Sequence, residues 1–128
     1  ASYLNGISNY RKRTVDVMTC HSGGILDNMN IVGTDTVTLA SSTCVESSYS
    51  ISGTCNGRPH AEAHYTIPSA LREQDPCGNA VASDADTRGY VSLSEVHSYN
   101  SAEMTTSTPQ IADPDGLAAS THLKRTQP

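Results

Sequence analysis

The sequence has no tryptophan and no phenylalanine, so its six tyrosines are its only aromatic residues. A core within 128 residues must then be built from Leu, Ile, Val, Met, Ala and Tyr, and such a core is lean. No two cysteines stand as Cys-x-x-Cys, which excludes a zinc ribbon or a thioredoxin-type motif. No apolar run approaches the roughly 18–20 residues that a membrane-spanning helix needs. Basic residues are scarce: eight Lys and Arg stand against thirteen Asp and Glu, for a net charge of −5. That balance lacks the basic footprint of general nucleic-acid binding, so no nucleic-acid partner is expected. Neither a Gly-x-Ser-x-Gly elbow nor a glycine-rich phosphate loop occurs.

Ser and Thr are abundant, at 31 of 128 residues. Four cysteines, Cys20, Cys44, Cys55 and Cys77, are an even count at long spacing. Two disulfides in a secreted, extracellular chain fit this pattern, with three pairings open. Disulfides would supply stability that a lean core does not. The length predicts a single domain over 1–128. Its ends read as a polar arm over 1–13, closing in the basic run Arg11-Lys12-Arg13, and a loosely ordered tail over 105–128.

Short strands dominate the first half. Thr14 to Cys20 alternates Val15 and Val17 with polar neighbours, and Thr36 to Leu39 is β-branched and alternating. The run 25–32 is ambiguous and leans to strand from Asn30. Val45 to Ser52 and His60 to Ile67 read as two strands joined through Asn56-Gly57, a hairpin signal. Residues 68–73 suit one or two helical turns, and residues 94–104 are the clearest helix. The fold class expected is mostly β, or α+β: a small antiparallel sheet domain with one or two short helices in its C-terminal third, stapled by disulfides.

The stretch Asp84 to Glu95 carries the most chemistry. It has carboxylates at loop positions 1 and 3 (Asp84, Asp86), a glycine at 6 (Gly89), a valine at 8, Ser92 at 9 and Glu95 at 12. Calcium takes six to eight hard oxygen ligands, and this spacing resembles the calcium loop of an EF-hand. The resemblance covers these twelve residues alone. It implies Asp84 and Asp86 as ligands, Gly89 at the sharp turn, the Tyr90 carbonyl and Ser92 hydroxyl next, and Glu95 closing the site with two oxygens. Position 5 departs from the pattern: Arg88 carries only donors and a positive charge, so it must point away from an ion. The incoming side departs too, since Pro76 and Gly78 precede Asp84 within eight residues. The bland alternative is an acidic turn followed by a helix capped by Ser92 or Ser94.

A second constellation is His60, Glu62 and His64. On a strand these residues share one face and could hold a transition metal, with His21, His97 or His122 as a further ligand. Such a metal could activate water for hydrolysis. His60-Ala61-Glu62 followed by Pro76-Cys77 also resembles the zinc nucleobase deaminase signature. Ala80 stands where that family needs its second cysteine, so the likeness fails on its ligands.

The reading favoured by the sequence is a non-enzymatic extracellular structural or adhesion-type domain with one structural calcium site. Other protein chains, matrix or glycan are its expected partners. The rival readings are a self-assembling filament or capsid subunit, forming homo-oligomers through strand edges, and a metal-dependent hydrolase.

Overall fold

A computed structural model describes residue 4 and residues 6–7, 9–29, 35–52, 55 and 57–123. The fold is α+β. Strand β1 (Arg13–Val17) leads through helix α1 (Gly23–Met29) to strand β2 (Thr36–Ala40). The two strands are parallel, with Arg13 opposite Thr36 and Val17 opposite Ala40. A parallel pair needs a crossover of a dozen or more residues, and the segment containing α1 provides it. Strand β5 (Gln110–Ala112) adds antiparallel to the other edge of β2, with Leu39 opposite Ile111. The sheet is therefore mixed, with β2 central and buried along its whole length. The second sheet is a minimal antiparallel pair, β3 (Ser50–Ile51) and β4 (His60–Ala61).

Helix α1 begins where the chain must pass close to another backbone. A Cβ on Gly23 would lie 2.8 Å from the Cys44 nitrogen and the Ser42 carbonyl oxygen, so only glycine fits there. The expected strand from Asn30, like Asn56 of the Asn-Gly turn, lies outside the described residues. Ile51 faces His60 in the β3–β4 pair, which makes the connection eight residues long rather than a two-residue turn. Of the strand expected over 45–52, only Ser50–Ile51 is paired.

The largest departure from the sequence reading is at residues 62–72. The alternation from His60 to Ile67 predicts a strand, but β4 ends at Ala61 and helix α2 (Glu62–Arg72) follows. Its buried residues are Glu62, Ala63, Thr66, Ile67, Ser69 and Ala70, and Ala63, Thr66, Ile67 and Ala70 among them follow a spacing of i, i+3, i+4, i+7. Ala63 and Ile67 fit alternation as well; Thr66 and Ala70 fit only the helical period. Pro68 sits in the helix interior, where it removes the N–H that would reach the His64 carbonyl. The helix closes on Glu73 in a left-handed conformation, with Glu73 donating to the Ala70 carbonyl and Gln74 to that of Ser69, a Schellman-type end.

Helix α3 (Leu93–Glu103) packs against α2. The core lies between these helices and the mixed sheet: Val37, Leu39, Ala63, Ile67, Ala70, Val91, Leu93, Val96, Met104 and Ala118. It contains no aromatic ring, although Tyr99 packs on its margin.

Neither end behaves as a free arm where it is described. Arg13 opens β1 and is buried, donating from Nε to Thr36 Oγ1 at 3.1 Å with its guanidinium 4.6 Å from the Tyr10 ring. Lys12 donates to the Ser120 carbonyl at 3.0 Å. The segment after residue 105 supplies β5 and a 3-10 turn (Ala118–Ser120), so it is part of the fold. Cys55 and Cys77 form a disulfide with 5.2 Å between Cα atoms, while Cys20 and Cys44 are exposed free thiols. One bridge forms where two are expected. Closing its 22-residue separation contributes about 3 kcal/mol in the chain-entropy account.

Glu62 explains how the segment after α3 is held. Its side chain is only 2% exposed. One carboxylate oxygen accepts from the Thr105 N–H at 2.7 Å, and the other from the Ser107 N–H at 3.0 Å and the Thr106 hydroxyl at 2.8 Å. Burial raises the carboxyl's pKa, but these donors outweigh it and hold it below the ordinary glutamate value. A depressed folded-state value stabilises the protein above the unfolded value of about 4.3, and that contribution disappears as pH falls through the folded value. Glu62→Ala, which strands several amides, is expected to cost about 2–4 kcal/mol at pH 7 in urea unfolding. Glu62→Gln should cost less and should flatten the loss of stability below pH ~4.3. Unchanged acid sensitivity in Glu62→Gln would contradict this role.

Candidate metal centre

The acidic loop is delivered by an extended segment rather than a helix. Ser83 is buried and donates its hydroxyl to the Ala70 carbonyl at 2.5 Å, fixing the entry point to the end of α2. Val81 donates to the Glu73 carbonyl at 2.9 Å. Sequence reasoning passed over Ser83, because nothing local marks a serine as the tether of a distant helix end.

From Asp84 the chain folds back on its own amides. Asp84 accepts from the Gly89 N–H at 2.7 Å and from the Arg88 N–H at 3.2 Å. Asp86 accepts from the same Arg88 N–H at 3.1 Å, a turn that short acidic side chains make with the amide two residues on. Gly89 has φ of +78°, the left-handed turn expected at loop position 6, and Thr87 also lies at +58°. Val91 then enters the core at 4% exposure, and Leu93 donates to the Thr121 carbonyl at 3.0 Å.

Ser92 caps α3. Its hydroxyl accepts from the Glu95 N–H, while the Glu95 carboxylate accepts from the Ser92 N–H at 2.8 Å, a reciprocal capping box. The Ser92 hydroxyl also donates to Glu95 Oε2 at 2.7 Å. The other Glu95 oxygen reaches back into the loop, accepting from the amides of Ala85 at 2.9 Å and Asp86 at 3.2 Å. Burial raises the Glu95 pKa, but the donors on Ser92, Asp86 and Ala85 overcome it and keep the carboxyl ionised below its usual range.

One carboxylate oxygen each from Asp84, Asp86 and Glu95 lie within 4.8 Å of one another. Among the described residues this is the group of three or more potential ligands that comes together. Oxygen-only, acidic donors suit a hard cation such as calcium. Arg88 turns outward, as the sequence requires, but its Nε stays 3.2 Å from Asp86 Oδ2, with the Arg88 side chain 68% exposed. The Asp86 carboxylate is thus shared with the Arg88 guanidinium. Tyr90 directs its ring toward His122, 6.0 Å between centroids.

The histidine constellation is not assembled. His60 is in β4, Glu62 opens α2 and gives its oxygens to residues 105–107, and His64 is exposed on the helix. His64 does act electrostatically on Asp16, lowering a pKa that burial raises overall. Of the further candidates, His21 is exposed with Nδ1 3.1 Å from the Cys44 carbonyl oxygen. His97 is half-buried, which lowers its pKa, and His122 lies beside Tyr90 with the two rings tilted by 44°.

Comparison with known proteins returned no matching family model, no matching curated protein and no matching solved structure. The fold and the loop geometry are thus the basis for a functional reading.

The capping role is separable from any metal. Ser92→Ala should destabilise the protein by about 1 kcal/mol in urea unfolding in chelator, where no ion contributes. Ser92→Asp, which keeps an acceptor at the cap, should recover most of that loss. A Ser92→Ala protein as stable as wild type would show that the cap contributes nothing.

Proposed function

We propose that residues 84–95 bind a single calcium ion and that the chain is a non-enzymatic, extracellular structural domain whose loop the ion locks onto α3. The observation that carries the reading is the convergence of the Asp84, Asp86 and Glu95 oxygens within 4.8 Å, in a loop turned by its own amides. Asp84, Asp86 and both oxygens of Glu95 are the proposed ligands, with the Tyr90 carbonyl and Ser92, the latter through water. Ser92 spends its hydroxyl on Glu95, so its chief part is to aim that carboxylate. Three carboxylates, one of them shared with Arg88, suit the weak binding range of extracellular calcium modules, about 10⁻⁴–10⁻³ M. The Cys55–Cys77 disulfide is compatible with an oxidising compartment. No helix among the described residues is long and apolar enough to cross a membrane.

A second reading, the self-assembling filament or capsid subunit, draws on the mixed sheet. β1 and β5 each pair with β2 on one side only, and unpaired edges are templates for another chain. Light scattering at micromolar concentration separates the two readings, since a monomer excludes assembly through those edges. No observation favours the hydrolase reading.

Calorimetric titration and thermal melts in calcium and in chelator test the proposal. Wild type should bind one ion, and calcium at about 100 times Kd should stabilise it by about 2.7 kcal/mol. Glu95→Gln keeps a side chain able to complete the capping box and should bind at least about tenfold more weakly. Arg88→Asn, which removes the competitor and offers an oxygen at position 5, should bind more tightly. A wild type without binding heat or a melting shift, or a Glu95→Gln protein that binds as well, would overturn the site.

A further inference from the structure

A groove of about 690 Å³ runs along α3, between its exposed face and the extended segment that leads to the acidic loop. That volume is within the range of about 300–1,000 Å³ in which proteins hold small ligands or side chains. Four alanines, Ala102 among them, and Val81 supply much of its apolar lining. Tyr65 and Tyr99 supply aromatic rings, and Asp75, Glu95 and Glu103 supply carboxylates. Among the described residues no lysine, arginine or histidine lines it.

The carboxylates differ in how far they are already engaged. Asp75 is held by Asn79, whose N–H and side-chain amide donate at 2.7 and 2.8 Å and keep the carboxyl below its ordinary pKa. Glu95 is spent on the loop and the cap. Glu103 has no ion pair among the described residues, and it occupies the last turn of α3, which carries no basic side chain. A carboxylate there faces the negative end of the helix dipole, which disfavours its charge. Burial raises the Tyr99 pKa, and Glu103 and Asp75 raise it further, so both carboxylates act on the ring that lines the groove.

We propose that this groove is a docking surface for a lysine- or arginine-bearing peptide segment of a partner protein. The charge complementarity is specific to such a guest. Its aliphatic stem would lie on the alanine surface, as long basic side chains do. Its cationic head would meet Glu103 and Asp75 and the face of a tyrosine ring. The residues that would meet the guest, Glu103, Asp75 and Ala102, lie outside residues 84–95, although Ala85 and Glu95 line the groove's other end.

The test is fluorescence polarisation with a short labelled peptide carrying one lysine and one arginine among alanines. The control peptide has glutamine at both basic positions. Titrations are run with calcium and with chelator. The basic peptide should bind at least about tenfold more tightly than the control, in chelator as well as in calcium, and should weaken as salt is raised. Glu103→Gln should cut its affinity several-fold. Ala102→Arg, on an exposed helical site, should abolish binding by filling the groove while leaving the circular dichroism spectrum unchanged. Equal affinity for the two peptides would overturn the proposal, as would binding that survives both substitutions. Self-association of the protein that Ala102→Arg removes, without peptide binding, would assign the groove to a second copy of the chain and overturn the proposal too.

Discussion

Carboxylates bonded to backbone amides are the interaction on which the rest of this structure depends. Among the described residues, Glu46, Glu62, Asp75, Asp84, Asp86, Glu95, Asp113 and Asp115 all accept from main-chain N–H groups. Charge-assisted bonds of this kind are roughly twice as strong as neutral ones. They act where the apolar core does not reach. Glu62 gathers residues 105–107, Glu46 joins Thr43 to Thr108, and Asp113 receives the amides of Leu117 and Ala118. A chain without phenylalanine or tryptophan thereby fixes long irregular segments around a small core of aliphatic residues and Met104.

The same device makes the acidic loop. Asp84 and Glu95 hold the loop's amides from its two ends, and the cap on α3 ties Glu95 to the core through Leu93 and Val96. The turn is shaped by hydrogen bonds within the loop itself. In the proposed reading calcium would add to a loop already folded back, drawing together oxygens that otherwise repel one another. Arg88 has a part in this balance, since it neutralises some of the Asp86 charge at the edge of the site.

Much of this was legible in the sequence where the signal is local. Helix α3 follows from Ser92, Glu95 and the apolar spacing after them, and β2 follows from its β-branched alternation. The turn at Gly89 follows from position 6 of the loop. What was not legible depends on distant partners. Glu62 reads as a member of a metal triad until its oxygens are seen to serve residues 105–107, more than forty positions away. The 60–67 alternation reads as a strand because period 2 and period 3.6 coincide over so short a run. The segment over 105–108 looks like the start of a tail because its anchors, Glu62 and Glu46, are acids on distant parts of the chain. The parallel pairing of β1 and β2 depends on a crossover that partly lies outside the described residues.

The most direct test of this account is a pH titration of backbone amide resonances by NMR in chelator, from pH 7 down to about 2.5. The account predicts that the amides of Thr105, Thr106 and Ser107 shift together with Glu62, and those of Ala85, Asp86 and Ser92 with Glu95. Both sets should have midpoints below the ordinary glutamate value of about 4.3. Midpoints at or above that value, or amides that ignore these carboxyls, would contradict it.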